Sequence, residues 1–235
     1  MGAVTVIKLG GSHAFAESLP AWLDSIEAGA GKAVLVAGGG PFADAVRQAQ
    51  PRMGFDDFAA DAMALLAMEQ YAIAIAAMGR LLEVVSGPSA ISLALRAGRV
   101  PVWAPRRMVC RAAEIPPSWE ITSDSLAAWL AGFLRVRRIL VVKRIDAGAG
   151  PISAESLAAS GIVDAAFPRF LAASGAAGFL LGPGDRVGLG EALRADTAIG
   201  RPIGLVAAHR AVHHRARTQQ RRDPDRRSFD GKSRT

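Results

Sequence analysis

One lysine and a pair of glycines near the start of the chain have the types and spacing needed to bind a phosphate. Residues 4–12 read VTVIKLGGS, so a β-branched apolar run brings Lys8 to the edge of a Gly10-Gly11 turn. Residues 33–40 repeat the pattern as AVLVAGGG. Glycine lets backbone N–H groups approach a phosphate closely, and a lysine supplies fixed positive charge. Neither turn matches GxxxxGK[ST] or GxGxxG, so the sequence predicts phosphate chemistry outside the P-loop and dinucleotide-binding classes.

A second lysine and a carboxylate are candidates for the same chemistry. The chain has few lysines, and two of them, Lys8 and Lys143, end strand patterns where a compact ammonium group can face a bound anion. The alternative for each is a lysine whose stem lies along the strand end with its ammonium group in water. Thr122, Ser123 and Asp124 precede an apolar helical pattern, so one of them is expected to be the helix N-cap. A carboxylate here could otherwise hold the lysines or bind Mg²⁺, and the segment alone leaves both interpretations open.

These residues need a scaffold that brings several strand ends together, and the rest of the chain predicts one. The predicted strands are 4–9, 33–37, 82–85, 100–103, 138–143, 178–181 and 203–207. The predicted helices are 14–28, 41–50, 57–79, 88–97, 124–135, 154–160, 163–174 and 185–195. Near-continuous apolar strands flanked by helices are typical of parallel sheets covered on both faces, with ligands outside the carboxyl ends of the strands. We therefore predict an α/β fold, a three-layer α/β/α sandwich with a mostly parallel central sheet, and a lobe boundary within 101–117.

Composition limits the class of protein further. A hydrophobic content of 51% over 235 residues is enough for a sizeable core in one domain or two closely fused lobes. A single cysteine, Cys110, excludes an internal disulfide framework, and the chain begins with a strand pattern instead of a signal peptide, so a cytoplasmic protein is expected. The most apolar stretch, 62–78, is interrupted by Glu69 and Gln70, which favours a buried core helix over a membrane span.

The net charge of +7 is concentrated at the carboxyl end of the chain. Residues 209–235 hold eight arginines and one lysine against three aspartates. This leaves the domain predicted for 1–208 close to neutral, so we expect neither nucleic acid nor a membrane as its partner. The segment 209–235 has almost no large apolar residues and is predicted to be a disordered tail. Its alternative role is contact with RNA or anionic lipid.

The ordered set of motifs resembles the amino acid kinase family. The set runs KLGGS, then VAGGGPFAD, then ITSDSLAAWLA, then VVKRID, and the resemblance spans roughly residues 4 to 200. It implies the amino acid kinase-like fold. Within the family, SWEITSDSLAAWLA, AMEQYA and GIVDAAFP are most similar to the kinases of methanofuran and methylofuran biosynthesis, which act on [5-(aminomethyl)furan-3-yl]methyl phosphate.

This resemblance implies an ATP-dependent kinase of one-carbon metabolism that uses Mg²⁺ and phosphorylates a phosphate monoester to a diphosphate. The implied catalytic residues are Lys8 and Asp124, with Lys8 neutralising the transferring phosphoryl group and Asp124 orienting a lysine or the metal. The implied nucleotide-binding residues are Gly10, Gly11, Ser12, Lys143 and Asp146. The implied acceptor-binding residues are Gly38, Gly39, Gly40, Asp61 and Arg169.

The chain departs from the family pattern in two places. The segment after the fifth predicted strand reads KRIDAGAG where many relatives read TDVDG or KVDG, which leaves the role of Lys143 open. Relatives with other acceptors also carry a second phosphate-binding lysine near the C-terminal helices, and VDAAFPRFLAA has none. Arg169 is the nearest cation and is either a bidentate phosphate ligand or an exposed helical arginine. Asp61 either pairs with an ammonium group of the acceptor or is a solvated helix residue.

Two other functions fit the same residues. One is a sister kinase for a nucleoside monophosphate or isopentenyl phosphate, which would differ in the acceptor pocket. The other is a nucleotide- or oxyanion-binding protein of the same fold without turnover. The metal ligands and the oligomeric state are left open, with a homo-oligomer as one option.

Overall fold

The computed structural model describes residues 4–205, which form one eight-stranded sheet with helices on both faces. The strands are β1 (Thr5–Leu9), β2 (Ala33–Ala37), β3 (Leu82–Val85), β4 (Val100–Trp103), β5 (Arg138–Val142), β6 (Ile152–Ser153), β7 (Ala177–Leu181) and β8 (Arg201–Gly204). Their order is β3-β4-β2-β1-β5-β7-β8-β6. Every neighbouring pair is parallel except β7 and β8. The predicted mostly parallel α/β sandwich is confirmed, while the tail predicted for 209–235 lies outside the described residues.

Nine α-helices of the described chain connect these strands. They are α1 (Leu19–Glu27), α2 (Gly40–Met53), α3 (Asp57–Met78), α4 (Pro88–Arg96), α5 (Arg106–Val109), α6 (Ser123–Phe133), α7 (Ala154–Ala159), α8 (Phe167–Ser174) and α9 (Arg186–Ala195). A parallel sheet needs long crossovers, and these helices supply them. The two central strands, β1 and β5, are therefore buried along their whole length.

Alternation along the strands divides the core into two clusters, one on each face of the sheet. In β1, Val6 belongs to the cluster that contains residues of α4, α6 and α8, and Ile7 belongs to the cluster that contains residues of α1 and α9. Successive side chains of a strand point to opposite faces, so Lys8 shares the face of Val6. The sequence position of Lys8 thus directs its side chain towards α6.

Helix α3 contributes to both core clusters. Leu65 and Met68 pack in the first cluster, and Tyr71 and Ile75 pack in the second. Among the described residues, α3 is the one helix long and apolar enough to cross a membrane by length and composition, with 39% of its most apolar window buried. It also exposes large apolar side chains such as Ile73, so the prediction of a core helix holds for one side of it.

Two predicted helices begin later in the structure than expected, and two short elements of the structure have no predicted counterpart. The helix predicted to begin at 14 begins at Leu19, because the glycine turn first continues into a 3-10 helix over Gly11–His13. Helix α5 and strand β6 were not predicted, and both are shorter than a periodic pattern can reveal. The helix predicted from 163 begins at Phe167 instead, with a proline in its first turn.

Candidate active site

Lys8, Asp124 and Lys143 meet at the carboxyl ends of β1 and β5. The Lys8 ammonium group forms an ion pair with Oδ1 of Asp124 at 2.8 Å. Lys143, directly after β5, donates a hydrogen bond of 2.9 Å to Oδ2. Asp124 lies in the first turn of α6, which packs on the sheet face to which Lys8 points. The structure therefore brings together three residues that are far apart in sequence.

Burial makes the charges of this triad strong. Lys8 and Asp124 are almost fully buried. Burial alone raises the pKa of the Asp124 carboxyl, but the charges of Lys8 and Lys143 outweigh it and hold this pKa below its ordinary value. Burial and the Lys8 charge lower the pKa of the Lys143 ammonium group to about 8. One carboxylate between two ammonium groups leaves a net positive charge, which favours a bound anion.

A carboxylate from outside the helix caps α6, so Asp124 is not needed as the cap and pairs with the two lysines instead. Thr122 is the N-cap residue, and its side chain makes no capping bond of its own. Instead, Asp164 accepts hydrogen bonds from the Thr122 N–H at 3.0 Å, the Thr122 hydroxyl at 2.8 Å and the Ser125 N–H at 3.0 Å. The Ser125 hydroxyl also donates to Asp164. Capping therefore does not explain Asp124, and the sequence analysis did not identify Asp164.

The two glycine turns touch each other through their backbones. A Cβ on Gly11 would lie 2.4 Å from the Gly40 nitrogen, and a Cβ on Gly38 would lie 2.5 Å from the Gly11 nitrogen. Gly40 also has a φ of +55°, which favours glycine. A Cβ on Gly10, in contrast, would meet only ordinary contacts, among them the Lys8 ammonium at 3.6 Å. The missing side chain of Gly10 therefore leaves space beside the Lys8 charge.

A cavity of about 320 Å³ opens between the triad, the two glycine turns, α2, α3 and the segment that precedes α6. The predicted site residues that line it are Lys8, Gly10, Gly11, Ser12, Gly38, Gly39, Gly40, Asp61, Asp124 and Lys143. Its volume is in the range of small-molecule sites.

Two predicted site residues lie outside the lining of this cavity. Asp146 is exposed, and its carboxylate accepts a hydrogen bond of 2.9 Å from the Gly148 N–H, which orders the loop after β5. Arg169 is exposed on α8 with its guanidinium group 4.7 Å from the centre of the Phe170 ring.

A second group of lining residues, which we call the acidic end of the cavity, is rich in carboxylates. Asp44, Asp57 and Asp61 line it, and the single arginine of the lining is Arg47. Burial raises the pKa of the Asp61 carboxyl, and a hydrogen bond from the Ser118 backbone opposes this shift in part. A carboxylate that burial disfavours gains most from a cationic partner.

Arg47 and Trp119 pack against each other at this acidic end, a contact that the sequence analysis did not predict. The Arg47 guanidinium group pairs with Asp44 at 3.1 Å and lies 4.7 Å from the centre of the Trp119 ring. The Trp119 indole N–H donates to Gln50 at 2.7 Å, and Gln50 donates to Asp57 at 2.8 Å. The Asp44–Arg47 spacing on a helix was a visible signal, but its partner Trp119 is distant in sequence.

A buried histidine ends the 3-10 helix that continues the first glycine turn, and the sequence analysis did not predict it. His13 packs against Trp22 with ring centres 6.0 Å apart, and its ring nitrogens have no hydrogen-bond partner among residues 4–205. Burial, and then the charges of Arg144, Lys8 and Lys143, lower the pKa of His13 to about 4. The imidazole is therefore neutral at pH 7, and three cations converge on this turn.

The residues of the cavity do not form a magnesium site of their own. Within residues 4–205 no group of three or more histidine, cysteine or acidic side chains is arranged to hold a metal ion. The Asp124 carboxylate is already held by two ammonium groups. Magnesium is commonly bound through substrate phosphates and water with few protein ligands, and the donor set here is compatible only with that mode.

Comparison of structures finds the same fold in known kinases. Uridylate kinase from Archaeoglobus fulgidus superposes with a TM-score of 0.66 and 18% identity, covering 86% of this chain and 100% of that chain. UMP kinase from Ureaplasma parvum gives a TM-score of 0.59 at 14% identity, covering 87% and 100%. Aspartate kinase from Synechocystis gives 0.60 at 13% identity, covering 77% and 38%. At these identities the likeness establishes the fold alone.

Comparison of sequences assigns the family. No curated protein sequence matches the chain. Residues 3–147 match the amino acid kinase family, and these residues hold β1 to β5 together with Lys8, Asp124, Lys143 and both glycine turns. Because the match covers more than half of the chain, the protein belongs to the amino acid kinase family.

Proposed function

We propose that the protein is an ATP-dependent kinase that transfers the γ-phosphoryl group to a small phosphate monoester. The family supports a phosphotransferase that uses ATP and Mg²⁺. The observation that carries the proposal is the buried Lys8–Asp124–Lys143 triad beside two glycine turns in contact with each other. Because the two turns are in contact, phosphate groups bound at each of them would lie side by side.

The reaction needs positioning and charge, and the triad supplies both. An oxygen of the acceptor phosphate forms a bond to the γ-phosphorus, the bond between that phosphorus and the β–γ bridging oxygen breaks, and ADP leaves. Lys8 neutralises charge on the transferring group, and Asp124 fixes the orientation of Lys8 and Lys143. The turn at Gly10 and Gly11 binds the nucleotide phosphates. No covalent enzyme intermediate is required, because positioning and electrostatic stabilisation provide most of the catalysis in phosphoryl transfer.

The acceptor we propose is [5-(aminomethyl)furan-3-yl]methyl phosphate, the substrate that the sequence motifs imply. It carries a phosphate at one end and an ammonium group at the other. The cavity offers both kinds of partner: the second glycine turn and the lysines for the phosphate, and Asp61 with the other carboxylates of the acidic end for the ammonium group. The aromatic ring of Trp119 lies at the acidic end beside them.

A nucleoside monophosphate is the second candidate acceptor. The observation in its favour is the common fold with UMP kinases. A uracil ring is uncharged at neutral pH, however, and so is the alkyl chain of isopentenyl phosphate. Either acceptor would leave Asp61 without a cationic partner in a half-buried environment, which is unfavourable. The charge of the acidic end therefore supports the amine-bearing acceptor.

Steady-state kinetics with four acceptors tests the proposal. The compounds are the aminomethyl-furan phosphate, its dephosphorylated alcohol, UMP and isopentenyl phosphate, with ADP release followed by a coupled assay and products identified by mass. We expect the highest kcat/KM with the furan phosphate. The alcohol should lose kcat as well as affinity, because the acceptor phosphate contains the attacking oxygen.

Each other outcome changes the assignment. A higher kcat/KM for UMP or isopentenyl phosphate would make the protein a sister kinase. Efficient phosphorylation of the free alcohol would remove the diphosphate-forming reaction. ATP binding without ADP release for any acceptor would support a nucleotide-binding protein without turnover.

A further inference from the structure

We infer that Arg144 is a further phosphate-binding residue, whose guanidinium group binds the phosphate chain of the nucleotide at the first glycine turn. This inference rests on the proposed kinase function. It adds a phosphate-binding cation, in the loop after β5, to a chain whose C-terminal helices supply no second lysine.

The position of Arg144 is the first argument. The residue follows Lys143 directly, in the loop after β5. Its side chain reaches across to the loop after β1, where one guanidinium N–H donates a hydrogen bond of 3.2 Å to the Ser12 carbonyl. Arg144 therefore connects the two loops that hold Lys143 and the first glycine turn.

The lack of a counter-charge is the second argument. Within residues 4–205 no carboxylate lies at ion-pair distance from the Arg144 guanidinium, whereas Arg47 and Arg138 each have an aspartate partner. The nearby Asp146 is occupied with the Gly148 N–H. A carbonyl oxygen satisfies one N–H but does not neutralise the charge. The remaining N–H groups of an arginine match the oxygens of a phosphate in a bidentate arrangement.

The order of the loop is the third argument. The Lys143 N–H donates to the Leu181 carbonyl at 2.9 Å. A Cβ on Gly182 would lie 2.5 Å from the Ile145 carbonyl oxygen, so the end of β7 packs directly against the loop. Since the backbone on both sides of Arg144 is already fixed, binding of a phosphate costs little further ordering.

The buried histidine provides a separate indication of unbalanced positive charge at this turn. Its imidazole is kept neutral by burial and by the surrounding cations, of which Arg144 has the largest effect. Within residues 4–205, the one carboxylate paired with any of these cations is Asp124, which Lys8 and Lys143 share. A polyanion such as the di- or triphosphate of a nucleotide would balance the charge, while an uncharged ligand would not.

Calorimetric titration of the full chain with Mg·ADP tests the inference without any assumption about the acceptor. The variants are Arg144→Ala, Arg144→Lys and, as a matched control, Arg96→Ala, which removes an exposed arginine of α4 whose guanidinium group bonds to Ser92 and contacts neither glycine turn. We expect Arg144→Ala to weaken ADP binding at least ~10-fold, since charge-assisted bonds to phosphate are strong. Arg144→Lys should recover part of this loss, because it keeps the charge but not the bidentate geometry.

Three results are decisive. Unchanged melting temperatures, with a loss confined to Arg144→Ala, support the inference and exclude a purely structural role. Wild-type affinity for ADP in Arg144→Ala, or an equal loss in Arg144→Ala and Arg96→Ala, overturns it while leaving the kinase assignment intact. Failure of the wild-type protein to bind ADP overturns the kinase assignment and this inference together.

Discussion

The charged side chains at the two ends of the cavity differ in their exposure to water. At the lysine end, Lys8 and Asp124 are nearly inaccessible to water and joined at 2.8 Å. At the acidic end, the Asp44–Arg47 pair is about half exposed, and Asp61 is half-buried. Electrostatic interactions are strong where water is excluded and weak where it is not. The comparison supports the proposal in which the lysine end performs the chemistry and the acidic end selects the acceptor.

Removal of Lys8 should give the largest effect. We expect Lys8→Ala to lower kcat at least ~100-fold, because one preorganised charge at a phosphoryl transition state contributes several kcal/mol. Lys32→Ala is the matched control, since Lys32 contacts a backbone carbonyl far from the cavity. Single-turnover kinetics and melting curves of both variants provide the measurement. A folded Lys8→Ala protein with unchanged kcat would refute the chemical role of this end.

The glycines next to Lys8 allow a second test of the same end. Gly10→Ala should preserve the fold and lower activity on the order of 10- to 100-fold, because its methyl group enters the space beside the Lys8 ammonium. Gly11→Ala should instead destabilise the protein, since its methyl group would collide with the backbone of Gly40. Thermal unfolding and ADP-release assays separate the two results. Equal destabilisation by both variants would mean that Gly10 is required for packing alone.

The depressed pKa of Lys143 predicts a pH dependence of the lysine end. The protonated ammonium group is the form that binds phosphate, so kcat/KM should fall as pH rises through about 8, by about 10-fold at pH 9. Lys143→Arg should move this decline to higher pH. The same shift affects stability in the opposite direction. Between pH 8 and 10.5 the Lys143 side chain binds more protons in the unfolded chain than in the folded protein, so its contribution to the free energy of unfolding increases as pH rises. If kcat/KM of the wild-type protein stayed constant up to pH 10, Lys143 would not bind phosphate as its protonated form.

The acidic end should respond more weakly, and in a different parameter. We expect Asp61→Asn to raise KM for the amine-bearing acceptor roughly 5-fold with little change in kcat, as for a partly solvated ion pair. KM for ATP should stay the same. Asp24→Asn, on the exposed side of α1, is the control. A loss of kcat without a change in KM would place Asp61 in the chemistry and remove the distinction between the two ends.

The lysine end could be predicted from the sequence more fully than the acidic end. Lys8, Lys143 and the glycine turns lie at the ends of strands, and parallel strands bring such ends together whatever the details of packing. Arg47 and Trp119 lie on a helix and in a loop with no common period, and only the tertiary fold shows that they are in contact. The order of the sheet likewise depends on which strands pair, which periodicity does not encode.

Local competition explains the errors in the predicted elements. The residues after Gly11 have helical character, but the turn tightens into a 3-10 helix before α1 begins. The residues before α8 also fit a helix, yet Asp164 is used to cap α6. Before α8, a tertiary contact thus outweighs helix propensity, which is only a fraction of a kcal/mol per residue.

The cap on α6 links the two halves of the chain. The family match ends at residue 147, and a fragment cut there would retain Lys8, Asp124 and Lys143. It would lose Asp164, and with it the groups that satisfy the N-terminus of the helix carrying Asp124. It would also lose β7, the neighbour of β5 in the sheet. The residues that resemble other kinases thus depend for their arrangement on residues beyond the match, and recombination between relatives at this boundary would have to transfer the cap together with the helix.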